Sequence, residues 1–337
     1  MWETGMETAM KIGKLPEQVL VRSVLKQAKH RREEVLVGPA VGQDCAVMAL
    51  SEDEVFVMSS DPITGTVKDI GSHGIHITAN DLAASGAEPV GVLLTVLLPE
   101  NVEEAQIRQM MQDAERTCRE LNMEIMGGHT EITNVVRQPL LTVTGVGKTK
   151  RKDLLLTMQV QPGQDIVVTK WIGLEGTAIL AKEKEEALLK HFNPELVRTA
   201  QEFSRYLSVI QDAKIAREFG VSAMHDITEG GVFGALWEMA EGSGVGLDAD
   251  LKAIPIRQET VEVCEFFGLN PYQIMSSGSM MIATDDGHGL VRALQQVGIH
   301  AAVVGRATNG NDRILRNGED VRYLDRPQSD ELYKVMG

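Results

Sequence analysis

Six acidic side chains stand beside glycine or serine in short polar stretches. They are Asp44 in VGQDCAV, Asp61 in SSDPITG, Asp81 in ANDLAASGAEP, Glu131 in GGHTEI, and Asp226 with Glu229 in HDITEGGV. Each alone reads as ordinary turn chemistry, because Asp and Gly favour turns for local reasons. As a set, at the ends of apolar segments, they could converge on one rim of a sheet. Carboxylate oxygens suit magnesium, a hard cation that also takes phosphate oxygens. Glycines let backbone N–H groups approach phosphates closely. A metal-bridged nucleotide would use both features.

Asn80 and Asp81 raise a local question. They read as the opening of an apolar helix and are followed by Ala83, Ala84, Ser85, Gly86 and Ala87. A helix cap is one reading, since Asn and Asp satisfy free N–H groups at a helix start; a metal ligand is the other. His129, between Gly128 and Thr130, reads as a turn histidine, either bonded to backbone or serving as a phosphate contact or proton-transfer group. His225 beside Asp226 has the same two readings. His73 and His76, three apart, share a helix face but lack a third ligand for zinc. GVGKTK at 145–150 follows a strand and lacks the spacing of a phosphate-binding P-loop.

The elements that must position these residues follow from periodicity. A helix is expected over 16–30, strands over 34–50 and 54–65, a helix over 70–87 and a buried strand over 90–100. An amphipathic helix follows over 101–122 with Asn101 as its cap. Residues 123–132 read as a strand ending in a double-glycine turn, and 139–150 as another strand. This order predicts an α+β sheet with helices on one face. A boundary falls between about 150 and 163, where a charged, turn-rich stretch precedes a new strand. Helices are expected over 176–190, 194–202, 204–219 and 230–242, and strands near 280–284 and 301–306.

With 337 residues, the chain is too long for one typical core. The formal net charge of −15 argues against nucleic-acid or anionic-membrane binding. Three distant cysteines, Cys45, Cys118 and Cys264, make no zinc spacing or disulfide framework, and a cytoplasmic location is expected. Residues 1–13 read as a loose tail without signal-peptide character.

Six motifs in order, GQDCAV, SSDPITG, NDLAASGAEP, GGHTE, TKWIGLEGTAIL and HDITEGG, resemble the PurM-like ATP-binding superfamily. That superfamily includes AIR synthetase, HypE, thiamine-monophosphate kinase and selenophosphate synthetase, and the chain looks most similar to the AIR-synthase-related, HypE-like branch. The resemblance implies a two-domain α+β architecture, with an N-terminal domain over 14–155 that dimerises into a composite barrel and a C-terminal domain over 156–337. It implies ATP and Mg²⁺ in a cleft, with Asp44, Asp61 and Asp81 as metal ligands. Nucleotide contacts fall on Gly42, Asn80, Gly127, Gly128, Thr130, Glu131, Gly230 and Gly231, and catalytic roles on His129, His225 and Asp226. The implied activity is phosphoryl transfer to an amide- or carbamoyl-type oxygen of a small-molecule or protein acceptor. A small-molecule kinase and an ATP-binding maturation or regulatory partner with little turnover are the alternatives. Two departures stand out. Relatives carry Asp or Glu where this sequence has His129. The sequence ends ELYKVMG, so the terminal-cysteine chemistry of HypE is not expected of it.

Overall fold

The computed structural model describes residues 17, 18, 21, 25, 35–37, 40–43, 45–63 and 69–336. The tail expected over 1–13, most of the helix expected over 16–30, and Asp44 lie outside the described residues.

Two sheets organise the chain. The first has six strands in the order β1-β2-β3-β6-β4-β5: β1 Val35–Val37, β2 Ala46–Ala49, β3 Glu54–Ile63, β4 Glu88–Leu98, β5 Glu124–Ile132 and β6 Leu140–Lys150. Its pairs are antiparallel except β4 with β5, which are joined by helix α2, Glu104–Glu120. Helix α1, Ile70–Ala84, connects β3 to β4. Both helices cover one face, as the sequence predicts. Val92, Leu94, Val96 and Leu98 alternate along β4 into a core with Ile75 and Ala79 of α1 and Met110, Ala114 and Cys118 of α2. The alternation follows from the two-residue period of a strand. At Gly71, a Cβ would lie 2.2 Å from the Met110 carbonyl oxygen, so only glycine lets α1 and α2 approach this closely. The N-cap of α2 is Glu103 rather than Asn101; Gln106 Oε1 accepts from the Glu103 N–H at 3.0 Å, which completes a reciprocal capping box.

The second sheet has seven strands in the order β13-β12-β9-β11-β7-β10-β8. They are β7 Asp165–Thr169, β8 Ala223–Ile227, β9 Gly246–Asp250, β10 Ser279–Thr284, β11 Ala301–Thr308, β12 Arg313–Asn317 and β13 Asp320–Tyr323. Seven helices of the described residues accompany it: α3 Leu174–Glu183, α4 Glu185–Leu189, α5 Pro194–Gln201, α6 Ile210–Phe219, α7 Gly231–Ser243, α8 Gln258–Phe267 and α9 Gly287–Gln296, with a last short turn, α10, at Tyr333–Met336. Here both faces are covered. Ile166 and Val168 of β7 pack with α7, while Val167 packs with α6 and α9. The helix expected over 176–190 breaks at Lys184, and that over 204–219 begins as a 3₁₀ turn, Glu202–Tyr206. The chain is thus an α+β protein with a mixed sheet in each of its N- and C-terminal domains.

The domains meet along α1. Ala83 and Ala84 pack with Val209, Ala213, Ala216 and Met224, so the run of small residues after Asp81 serves this interdomain contact.

Candidate active site

Strand alternation decides which candidate residues meet. Ser59 and Asp61 stand opposite Gly145 and Val143 on the sheet face that α1 covers. Asp81 reaches them from above. Ser59 Oγ lies 2.8 Å from Asp61 Oδ2 and also hydrogen-bonds Asp81 Oδ2. A serine hydroxyl has one proton to donate, and ionised carboxylates only accept. The Ser59 hydroxyl joins two acidic groups in an oxygen-rich cluster of a kind that suits a hard cation. Such oxygens are of the type that magnesium takes, and Asp61 and Asp81 are the described residues that would hold it. Ser59 was missed from sequence; its signal was its place two residues before Asp61, on the same strand face.

Asp81 is not at a helix start. It lies with Asn80 near the C-terminal end of α1, because the helix already begins at Ile70. Nor is Asn80 open to a ligand. It is fully buried, its Nδ2 donates to Leu207 O at 2.8 Å, and its Oδ1 accepts from Val209 N–H at 2.9 Å. It clasps the second domain.

The GGHTE segment also differs from expectation. Gly127, Gly128, His129, Thr130 and Glu131 form no turn; they continue β5, which among the described residues is an edge strand paired with β4 alone. The pairing skips Met126, and the glycines take up the resulting distortion with φ of 151° and 142°. A Cβ on Gly128 would sit 1.9 Å from Leu94 O, so its close approach is to the neighbouring strand. Gly128 shares a row with Leu94, Val143 and Asp61, three strand spacings or roughly 14 Å from Asp61. His129 and Glu131 point to the opposite face, which no described helix covers, with His129 Nε2 3.1 Å from Glu131 Oε2. Within one chain they do not join Asp61 and Asp81.

His225 and Asp226 lie inside the buried strand β8, not in a polar turn. As neighbours on a strand they face opposite ways. His225 shares its face with Ala223 and Ile227 beneath α7, and its Nε2 is 3.0 Å from Glu238 Oε2. Asp226 shares its face with Met224, which packs against Ala83 and Ala84 of α1, so Asp226 is on the side of the Asp81 helix. Gly42 leans on the same helix as His225's partner; a Cβ there would lie 2.7 Å from Glu238 O.

Gly230 caps α7 and Gly231 begins it. The Gly230 N–H donates to Asp330 Oδ2 at 2.7 Å, and Leu332 N–H donates to Asp330 Oδ1 at 2.9 Å. Burial pushes the Asp330 carboxyl up to about 7, helped by Glu229 and opposed by backbone N–H groups of Leu332, Gly230 and Met275. Sequence reading missed this residue, which has no motif around it. The three cysteines are buried. Burial raises Cys118 to about 11 and Cys264 to about 12, so neither is an activated thiol. Among the described residues, no helix is long and apolar enough to cross a membrane.

The fold is that of a two-domain α+β protein with one mixed sheet in each domain and an acid cluster at Ser59, Asp61 and Asp81. The chain belongs to the AIR synthase related protein family, matching its N-terminal domain over residues 42–149 and its C-terminal domain over 161–316. It is 26% identical over 332 residues to a putative hydrogenase expression/formation protein of Methanocaldococcus jannaschii, covering 96% of this chain and 97% of that one. It is 28% identical over 279 residues to the carbamoyl dehydratase HypE of Rhodobacter capsulatus, covering 81% and 78%. The HypE–HypF complex structure gives a TM-score of 0.75 at 18% identity, over 91% of this chain and 99% of that one. AaThiL complexed with AMPPCP and TMP gives 0.73 at 19%, over 94% and 98%. HypE in complex with ATP gives 0.70 at 18%, over 94% and 95%.

Proposed function

We propose that the protein is a Mg²⁺-ATP-dependent enzyme that activates an amide- or carbamoyl-type oxygen by phosphoryl transfer. The observation that carries this reading is the meeting of Asp61 and Asp81 on one Ser59 hydroxyl, in a family whose relatives include HypE with ATP and the ThiL complex. Magnesium held by Asp61 and Asp81, with Asp44 as a third ligand, would screen phosphate charge at the acceptor oxygen. The chain's own part is positioning and electrostatics, which dominate phosphoryl transfer. Ser59 fixes the two carboxylates, α1 carries Asp81 into the domain seam, and Asp226 faces that seam from β8. The N-terminal domain is taken as 14–155 and the C-terminal as 156–337. A homodimer through the face of the first sheet that no described helix covers completes the reading.

Calorimetric titration of ATP with and without Mg²⁺ tests it. Wild type is expected to bind ATP in a magnesium-dependent way, and Asp61→Asn to lose at least about tenfold in affinity. ADP release should rise when a carbamoyl- or amide-bearing acceptor is added. Magnesium-independent binding, unchanged in Asp61→Asn, would remove the metal site from the reading.

A further inference from the structure

The second sheet ends in a hairpin whose outer strand has no neighbour. β12 and β13 are joined by Gly318 and Glu319 alone, with Asn317 opposite Asp320 and Ile314 opposite Tyr323. Gly318 has a φ of 67°, the left-handed backbone that a two-residue hairpin loop takes, and so short a loop fixes the register. Among the described residues β13 pairs with β12 alone. Its outer side therefore presents a row of backbone N–H and C=O groups to any strand that approaches. All of Asp320–Tyr323 is exposed, with Val321 at 55% and Tyr323 at 68%.

Strand alternation sorts these side chains. Asp320 and Arg322 share the face of Leu315, which is buried in the core that α7 completes, and the Arg322 guanidinium lies 5.6 Å from the Phe233 ring centroid. Val321 and Tyr323 share the opposite face with Ile314 and Arg316. The cations of the inner strand are paired, Arg313 with Glu241 and Arg316 with Asp248 at 2.6 Å. The charges of the outer strand are not. Among the described residues neither Asp320 nor Arg322 forms an ion pair, and two positions apart on one strand they stand about 7 Å from each other.

Charge on an edge strand ordinarily keeps other strands away. An acid and a base two positions apart do the reverse for a second copy of the same strand. Antiparallel pairing about a two-fold axis normal to the sheet keeps like faces together, so each residue meets itself or one an even number of positions away. Two such registers pair three of the four residues of β13. Centring on Arg322 sets that guanidinium against its own copy, and like charges directly opposite are destabilising. Centring on Val321 sets Asp320 against Arg322 of the second copy, and symmetry makes this contact twice. It also brings the exposed Val321 and Tyr323 side chains of both copies onto one face.

We propose that the outer edge of β13 is a self-association surface, pairing antiparallel with β13 of a second copy in the register centred on Val321. The edge belongs to the second sheet, so this contact is separate from the first-sheet dimer and does not rest on the proposed activity. A four-residue edge is smaller than a standard interface of about 800 Å² per partner. The contact is therefore weak, dissociated at low micromolar concentration and formed toward about 1 mM.

Sedimentation equilibrium of the full chain tests this in a Leu93→Arg background. Leu93 is exposed on the first-sheet face that no described helix covers, and its replacement removes association through that sheet. From about 10 μM to about 1 mM the mass should double. Asp320→Lys and Arg322→Glu each set like charges opposite one another at both ends of the pair, and each should weaken association by at least about tenfold. An equimolar mixture of the two variants sets opposite charges together again and should associate within about threefold of the unmutated edge. Both positions are exposed, and circular dichroism checks that each variant folds. Amide exchange over residues 319–323 should slow at the higher concentration. A mass that stays constant with the edge unmutated, single variants that associate as strongly as it does, or a mixture no stronger than its components would overturn the assignment.

Discussion

The Ser59 hydroxyl touches both carboxylates of the acid cluster, and that makes it a sensitive probe. Removing the hydroxyl takes away the hydrogen bonds it makes to Asp61 and Asp81 and leaves both carboxylates in the chain. Ser59→Ala is therefore expected to weaken magnesium-dependent ATP binding by about three- to tenfold, less than Asp61→Asn, without loss of folding. Equal losses for the two variants, read in parallel titrations, would show that Ser59 is itself a ligand. Asp330 supplies a pH prediction at the same scale. A carboxyl raised from 3.8 to about 7 binds its proton more tightly in the folded state. Its contribution is therefore full below the unfolded value and is lost as pH rises through about 7. Hydrogen exchange over residues 324–336, corrected for intrinsic rates, should show better protection near pH 5 than near pH 8. Asp330→Asn should flatten that dependence; an unchanged profile would assign it to another group. That Asp61 and Asp81 meet was legible from sequence, because acids beside small residues at segment ends have few bland uses in combination. Asp330 was not, because burial, invisible in the sequence, makes it unusual.

At the scale of elements, α1 does most of the assembling. One side packs on the first sheet and α2, another faces the second domain, and its C-terminal end carries Asn80 and Asp81 in opposite services. The sequence reading placed a helix over 70–87 but read Asn80 and Asp81 as a helix start, serving either as a cap or as site residues. Short polar residues suit either end of a helix, and only the tertiary contacts distinguish them. GGHTE misled for a related reason. Paired glycines signal a turn locally, yet here they accommodate a skipped pairing and a close approach to Leu94 within a strand. The strand at His225 and Asp226 was hidden by its polar residues, which pack into two different layers. The Asn80 clasp gives the prediction at this scale. Asn80→Ala leaves the Leu207 carbonyl and Val209 N–H without their partner, at a cost of about 2–4 kcal/mol in chemical denaturation. Below its unfolding transition the variant should still bind Mg²⁺-ATP within about threefold of wild type. A stable variant that no longer binds nucleotide would return Asn80 to the ligand set.

For the whole molecule, the two faces of the first sheet differ in kind. Helices α1 and α2 bury one face and bring Asp81 to Asp61 there. The other carries Met58, Leu93 and Val146, with Leu93 42% exposed, and ends at the outer side of β5, which no described strand pairs. An antiparallel sheet can leave one face to water, but an apolar face beside an open edge strand favours association. A second copy is the proposed occupant, as the family resemblance implies. Leu93→Arg tests this cleanly, because the side chain is half exposed in one chain and its charge costs little until a partner covers it. Sedimentation equilibrium should find wild type dimeric and Leu93→Arg monomeric, with unchanged circular dichroism. A monomeric wild type would dispose of the barrel. The same variant also divides the candidate site. Asp61 and Asp81 lie under α1, so magnesium-dependent ATP binding should survive in the monomer. His129 and Glu131 lie on the face the partner would cover, so any contribution they make to turnover should disappear with the dimer. Once Leu93→Arg is present, adding His129→Ala should then cost nothing further in acceptor-dependent ADP release, whereas in the dimer it should lower that rate.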